Sequence, residues 1–229
     1  MVDKVDPDRV KIFKECMESY GIGTDQAEWP NNILSRKLVV YESGMITRSD
    51  DSITRSVDAK ELDLCKTLAN IAREMIGEIA VGMGSQSMDS FSPFFVCAED
   101  DSAVPQEITE SLIRERFGGT IFPLASITVE PLKQSGTWWN EVLKWVSSDA
   151  HKRDLYLKNW QRTIDWFNSS SDFCHTSFVR IGDRKALWAA ESGELPTGTE
   201  LTGCVLPRLA LGLTNAGSLV GIFGFVVQS

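Results

Sequence analysis

A thiol beside an imidazole is the one nucleophile and base pairing this chain offers, at Asp172-Phe173-Cys174-His175-Thr176. Such a dyad needs the imidazole within hydrogen-bond reach of the sulfur and a third group to hold the ring. Residues His175 to Ile181 (HTSFVRI) read as a strand. Neighbours on a strand point to opposite faces, which sets Cys174 and His175 apart. His151 is the other candidate base, and nothing in the sequence brings it near. Free cysteines are more often small buried apolar groups than nucleophiles. A hydrolase or transferase built on Cys174, with His175 or His151 as base, is therefore the alternative reading and not the leading one.

Other chemistry is thinner still. The five cysteines (Cys16, Cys65, Cys97, Cys174, Cys204) lie far apart, without C-x-x-C spacing, and only two histidines exist to supplement them. That pattern predicts no metal site and no cofactor, in a reduced, cytoplasmic chain. The polar start MVDKVDPDR carries no secretory signal, so the sequon Asn168-Ser169-Ser170 has little weight as a glycosylation site. Gly82-Met83-Gly84-Ser85 and Gly118-Gly119 follow helical patterns, where glycine ends a helix. A phosphate cradle would place them between a strand and a helix N-terminus. The acids Glu99-Asp100-Asp101 close a strand, but no Glu-x-Lys follows on the next one, so they read as a solvated turn.

Binding chemistry is concentrated later. Five tryptophans (Trp138, Trp139, Trp145, Trp160, Trp166) fall between 137 and 167, interleaved with Lys152, Arg153, Lys158 and Arg162. Tryptophan with basic neighbours can stack on bases and hold phosphates. Residues 151–185 carry seven basic against four acidic side chains, within a chain of net charge −9 and pI near 4.8. This small basic patch does not make a polyanion binder, which needs a cationic footprint. Two helices with their aromatic rows turned inward explain the pattern better. Trp139 falls off the main row and is the aromatic expected at the surface, with Lys158 and Arg162 nearby. The polar loop Glu191 to Thr202 (ESGELPTGTELT) is a second candidate surface through Glu194 and Thr197, since function collects on loops.

The elements that must position these groups follow from periodicity. Asp6-Pro7-Asp8 opens a helix that Gly21-Ile22-Gly23 closes. Short strands are expected at 37–41 and 45–47, beside a near-repeat (ITRSDD, ITRSVD) that two copies do not make a solenoid. Asp58 caps a long helix over 58–81, with Glu61 reaching back in a capping box. Its apolar face is wide, with rows Leu64, Leu68, Ile71, Met75 and Cys65, Ala69, Ala72, Ile76. Then come a buried strand at 91–98, a helix from Pro105 to Phe117, and a strand at 121–129 whose prolines suggest a sheet edge. Two short helices break near Ser147-Ser148-Asp149. A hairpin is expected to join 175–181 to 186–190.

The chain ends on Cys204 to Ser229, which has no charge after Arg208. Residues 209–229 are long enough for a membrane anchor. Their middle, Thr214-Asn215-Ala216-Gly217-Ser218, is turn chemistry where a spanning helix would be most apolar. Two apolar runs flank it, so the stretch reads as a buried two-stranded hairpin. The composition predicts a single α+β domain over 1–229: a mainly antiparallel curved sheet whose C-terminal hairpin packs on the long helix and the aromatic helix pair. The functional expectation is a soluble, cytoplasmic, non-enzymatic interaction protein, acidic and inhibitor- or immunity-like, with a basic protein partner. Neither nucleic acid nor membrane is favoured, self-association stays open, and a C-terminally tethered protein is the third reading.

Overall fold

The terminal stretch is a hairpin. Strands β6 (Val205–Thr214) and β7 (Leu219–Val227) pair antiparallel over their whole length, from Val205 opposite Val227 to Leu213 opposite Leu219. Four residues, Asn215 to Ser218, connect the strands. Gly217 supplies the positive φ of 90° that a side chain would resist. Its N–H reaches Thr214 O at 3.0 Å, and the Thr214 N–H closes the loop on Ser218 O at 2.9 Å. No helix among the described residues is long and apolar enough to cross a membrane.

The computed structural model describes residues 38–40, 46–48, 57–76, 83, 91–99, 103–117, 126–144, 149–182 and 205–227. The expected helix after Asp6, the return strand at 186–190, the loop with Glu194 and Thr197, and Cys16 and Cys204 lie outside them. The described elements begin with a two-stranded ribbon, β1 (Leu38–Val40) and β2 (Ile46–Arg48). The hairpin lies inside a five-stranded antiparallel sheet that does not close into a barrel. It is completed by β3 (Ser92–Val96), β4 (Ile127–Pro131) and β5 (Phe173–Ile181), in the order β3-β7-β6-β5-β4. Pro93 and Pro131 fall on the two outer strands, where a missing N–H is tolerated. Strand β5 is flanked by β6 and β4, and the Gly182 N–H is held by Ser126 O at 2.7 Å. Both of these partners are distant in sequence.

Helices cover both faces. Asp58 caps α1 (Ala59–Ile76) as expected, its Oδ1 accepting from the N–H groups of Lys60 and Glu61 at 2.9 and 3.0 Å. On one side, α1 packs against β3, β7 and α4 (Ala150–Ser169). Cys65, Leu68, Ala69 and Ala72 meet Phe95, Ala210, Val220 and Ile222 of the sheet in one buried cluster. Asp149 caps α4, accepting from His151 and Lys152, and α4 runs 20 residues where a short helix was expected. The other side carries α2 (Glu110–Arg116), whose end residue Phe117 lies 6.2 Å from Phe94. This helix starts later than Pro105 because Thr109 caps it, accepting the Leu112 N–H at 3.2 Å. Leu209, Leu211, Leu213, Leu219 and Phe223 are buried on that face, so the hairpin is covered on both sides as its unbroken apolar runs require.

Glycine permits the closest backbone approach in the sheet. A Cβ at Gly221 would run into the carbonyl oxygen of Ala210 on the neighbouring strand, which cannot move without breaking the ladder. Gly221→Ala should therefore lower stability by roughly 2–4 kcal/mol. A urea midpoint unchanged from the native chain would show that the strands can separate without loss.

Candidate functional site

Strand β5 carries an irregularity between Phe173 and His175, which leaves Cys174 as the extra residue. The exposed Cys174 thiol lies 3.5 Å from Leu213 O and 3.7 Å from Thr214 O. Carbonyl oxygens can accept a thiol proton in a hydrogen bond but cannot remove it. His175 turns elsewhere: its Nδ1 accepts the Ile108 N–H at 3.2 Å and lies 3.4 Å from Ser177 Oγ. With Nδ1 accepting, the single proton of the neutral ring sits on Nε2. The imidazole thereby fastens the segment before α2 to β5. His151 is exposed in the first turn of α4. Among the described residues, no hydrogen bond joins the Cys174 thiol to either histidine.

The aromatic rows are turned inward as expected, and the basic side chains interleaved with them stay at the surface. Trp138 stacks on Phe178, with centroids 4.1 Å apart and planes 9° from parallel, and donates its indole N–H to Pro131 O at 3.3 Å. Trp139 is buried and not exposed as its phase predicted, meeting Trp138 and Trp160 edge-on at 5.4 and 6.3 Å. Helix α3 (Trp139–Lys144) begins only at Trp139, so Trp138 sits in a turn and cannot set the helical phase. Arg162 is tied to the C-terminal end of α1. Its Nη2 donates to Glu74 O at 3.0 Å and Met75 O at 2.7 Å, as cations do at helix ends. Lys152, Arg153 and Lys158 stay exposed on α4, with Arg153 paired to Asp154 at 3.2 Å. Asn168, in the sequon, bridges the Leu132 carbonyl and the Thr176 hydroxyl at 2.8 and 2.6 Å.

Two groupings were invisible in the sequence. In the first, Arg180 on β5 and Arg208 on β6 stand directly opposite each other, an arrangement that repels unless counter-charges intervene. Glu141 of α3 grips Arg208 with both oxygens, at 2.7 and 3.2 Å, and lies 3.8 Å from Arg180. Glu130 of β4 holds Arg180 at 2.7 Å and accepts the N–H and hydroxyl of Thr137 at 3.0 and 2.8 Å. Arg208 is 2% exposed. Its Nη1 also donates to Pro207 O at 3.0 Å and Ile181 O at 3.4 Å. Pro207 has no N–H to give to the strand beside it, and the guanidinium supplies the donor in its place. Arg180 keeps one buried nitrogen, Nε, without a partner.

The second grouping lies at the turn end of the hairpin. Thr214 Oγ1 donates to Glu61 Oε1 at 2.6 Å and accepts the Ser218 N–H at 3.0 Å. Ser218 Oγ in turn accepts the Ala98 N–H at 2.9 Å. Glu61 thus reaches the sheet and not back to its own N-cap. Cys65 Sγ lies 3.7 Å from the same Glu61 oxygen. Cys97, the fully buried setting and Glu61 all push the Cys65 thiol up, and Ser218 opposes them. No protein-family model matches this chain, and no protein of curated function does.

Two measurements follow from these contacts. Removing one partner of a buried ion pair leaves the other charge unpaired. Arg208→Met or Glu141→Leu alone should cost about 3–5 kcal/mol in chemical denaturation, and the double variant should recover at least half of that. Simple additivity of the two losses would show that the pair is not coupled. The second concerns Tyr156, whose hydroxyl burial pushes up to about 12 against an opposing hydrogen bond from Trp160. A folded value above the unfolded value near 10 adds stability that is complete below pH 10 and lost as pH rises toward 12, by about 2–3 kcal/mol. The stability gap between the native chain and Tyr156→Phe should therefore narrow across that window, and a constant gap would contradict the buried hydroxyl.

Proposed function

We propose that the protein is a soluble, cytoplasmic interaction protein without catalytic chemistry, whose acidic surface receives a basic protein partner. The observation that carries this reading is the structural employment of its reactive and charged groups. The Cys174 thiol faces two carbonyl oxygens, and the acceptor nitrogen of His175 holds the Ile108 amide. Arg208 and Arg180 are neutralised by Glu141 and Glu130, and Arg162 closes the end of α1. Asp58, Asp63 and Glu74 on and beside α1, with Glu107, Glu110 and Glu115 on and beside α2, are exposed; exposed bases such as Lys60, Lys144 and Lys158 accompany them, so the acidic excess is that of the whole chain. With a net charge of −9, the field of such a surface favours encounter with a cationic protein and weakens with salt.

Crosslinking in a native lysate at low ionic strength, repeated at high salt, tests the reading. A single basic protein captured only at low salt, and then rebinding as a purified partner, is the expected result. Alkylation timed in parallel guards against the enzymatic alternative. Cys174 should react no faster than the same thiol in the denatured chain, and a rate about tenfold higher would mark it as an activated nucleophile and overturn the proposal.

A further inference from the structure

Helix α2 and the segment leading into it cover one face of the central hairpin, and an imidazole nitrogen fastens that segment to β5. Pro105 lies against Gly217 of the hairpin turn, where an added Cβ would meet the proline ring at 2.8 Å. The Ile108 N–H then donates to His175 Nδ1 at 3.2 Å, with the Ile108 side chain buried. Thr109 caps α2, and the buried Leu112, Ile113 and Phe117 complete the cover. His175 stands opposite Leu213 in the register of β5 and β6, so its ring neighbours the apolar face that α2 covers.

A neutral imidazole has one N–H and one nitrogen lone pair free to accept. At His175 that lone pair is on Nδ1 and is already given to Ile108. An incoming proton must take the same lone pair, and the imidazolium that results has two N–H groups and no acceptor. Protonation and the Ile108 bond therefore exclude each other. We propose that His175 is an acid-operated latch: a proton taken up at Nδ1 releases the Ile108 amide, and α2 lifts from the hairpin. The charged ring has a partner of its own, because Ser177 Oγ lies 3.4 Å from Nδ1 and can accept from it. The Ile108 amide, partly buried, has then lost its acceptor, which is the costly outcome for a backbone donor. The latch thus has two arrangements, one for each protonation state.

The elements packed about the ring do little to offset the new cation. On its own strand, the Cys174 thiol is directed at the Leu213 and Thr214 carbonyls, and the Asp172 carboxylate accepts from the Ser170 hydroxyl. The facing residue on β6 is the uncharged Leu213, and β4 ends at Pro131 opposite Ser177, short of the ring. The cover brings Glu107, Glu110 and Glu115, all exposed, with Glu110 committed to Arg114 at 2.9 Å, and it also brings the cationic Arg116. Among the described residues, no carboxylate pairs with the imidazole. The unfolded ring takes up a proton without giving up any such bond. Stability carried by the latch is therefore complete while the ring is neutral and is lost as pH falls through the imidazole range. The device is independent of the partner-binding reading.

The chain has two histidines, so each ring can be followed singly. Hydrogen exchange of the full-length chain, corrected for its intrinsic pH dependence, should show residues 105–117 losing protection about tenfold between about pH 8 and pH 5, while β6 and β7 keep theirs. The dye anilinonaphthalene sulfonate should brighten over the same window as the hairpin face is uncovered. His175→Asn, which sets a non-titrating acceptor near the place of Nδ1, should keep residues 105–117 protected at both ends of the window. His175→Phe should leave them unprotected at both, and His151→Asn should behave as the native chain. Should the variants at 175 fail to fold, nuclear magnetic resonance of the native chain decides, since the Ile108 amide should lose its protection with the same midpoint as the His175 ring. A ring that titrates without change at the Ile108 amide overturns the proposal, and so does a ring that stays neutral until the chain unfolds in acid. A pH response that survives in His175→Asn, or vanishes in His151→Asn, overturns it equally.

Discussion

The sheet and helices of the described residues are arranged around a hairpin that must be dry on both faces. Strands β6 and β7 carry almost no polar side chain between Leu209 and Phe223 apart from the turn, and their described side chains are buried. Each fully buried leucine or phenylalanine contributes about 1.5–3 kcal/mol relative to exposure. A sheet cannot collect that on two faces without a layer on each, and this determines where the remaining elements go. Helices α1, α3 and α4 take one face through Phe95, Phe178, Ala210 and Ile222, and α2 takes part of the other through Phe117 on Phe94. The tryptophans serve the same demand, because the wide space between α3, α4 and β5 is filled by Trp138, Trp160 and Phe178.

A hairpin buried on both faces creates a problem at each of its ends, where backbone groups leave the ladder and still lie away from water. The two ends are handled differently. At the turn, neutral hydroxyls of Thr214 and Ser218 link the backbone to α1 through Glu61 and to β3 through Ala98. At the open end, Pro207 removes a donor from a central strand, a position proline rarely occupies. The Arg208 guanidinium then serves the Ile181 and Pro207 carbonyls and draws Glu141 inward. Burying that charge is costly unless every partner is present, which accounts for a second carboxylate and a threonine gathered around Arg180.

The sequence foretold the parts of this fold that depend on local chemistry. The hairpin was legible because two apolar runs enclose Thr214-Asn215-Ala216-Gly217-Ser218, and the cap at Asp58 because a side-chain oxygen there meets the first free amides. What was hidden depends on contacts between distant segments. Strand β5 pairs with β4 and β6, partners that nothing in its local sequence names. Trp139 defied its helical phase because the helix begins with it. Thr109 rather than Pro105 starts α2, since the Ile108 amide just before it is already taken by His175. Arg162 read as part of a cationic patch because nothing local reveals that the end of α1 lies beside it.

The same distinction decides which neighbouring groups act on each other. Cys174 and His175 are adjacent in sequence, and the structure gives each a backbone partner of its own, so adjacency there carries no chemistry. Glu61 and Thr214 are remote in sequence, and the packing of α1 on the hairpin brings them together at the turn. A capping box reads Glu61 by its distance from Asp58 along the chain, but the carboxylate is drawn to the hydroxyl that the buried turn presents, because a group leaving the ladder away from water must find a partner there.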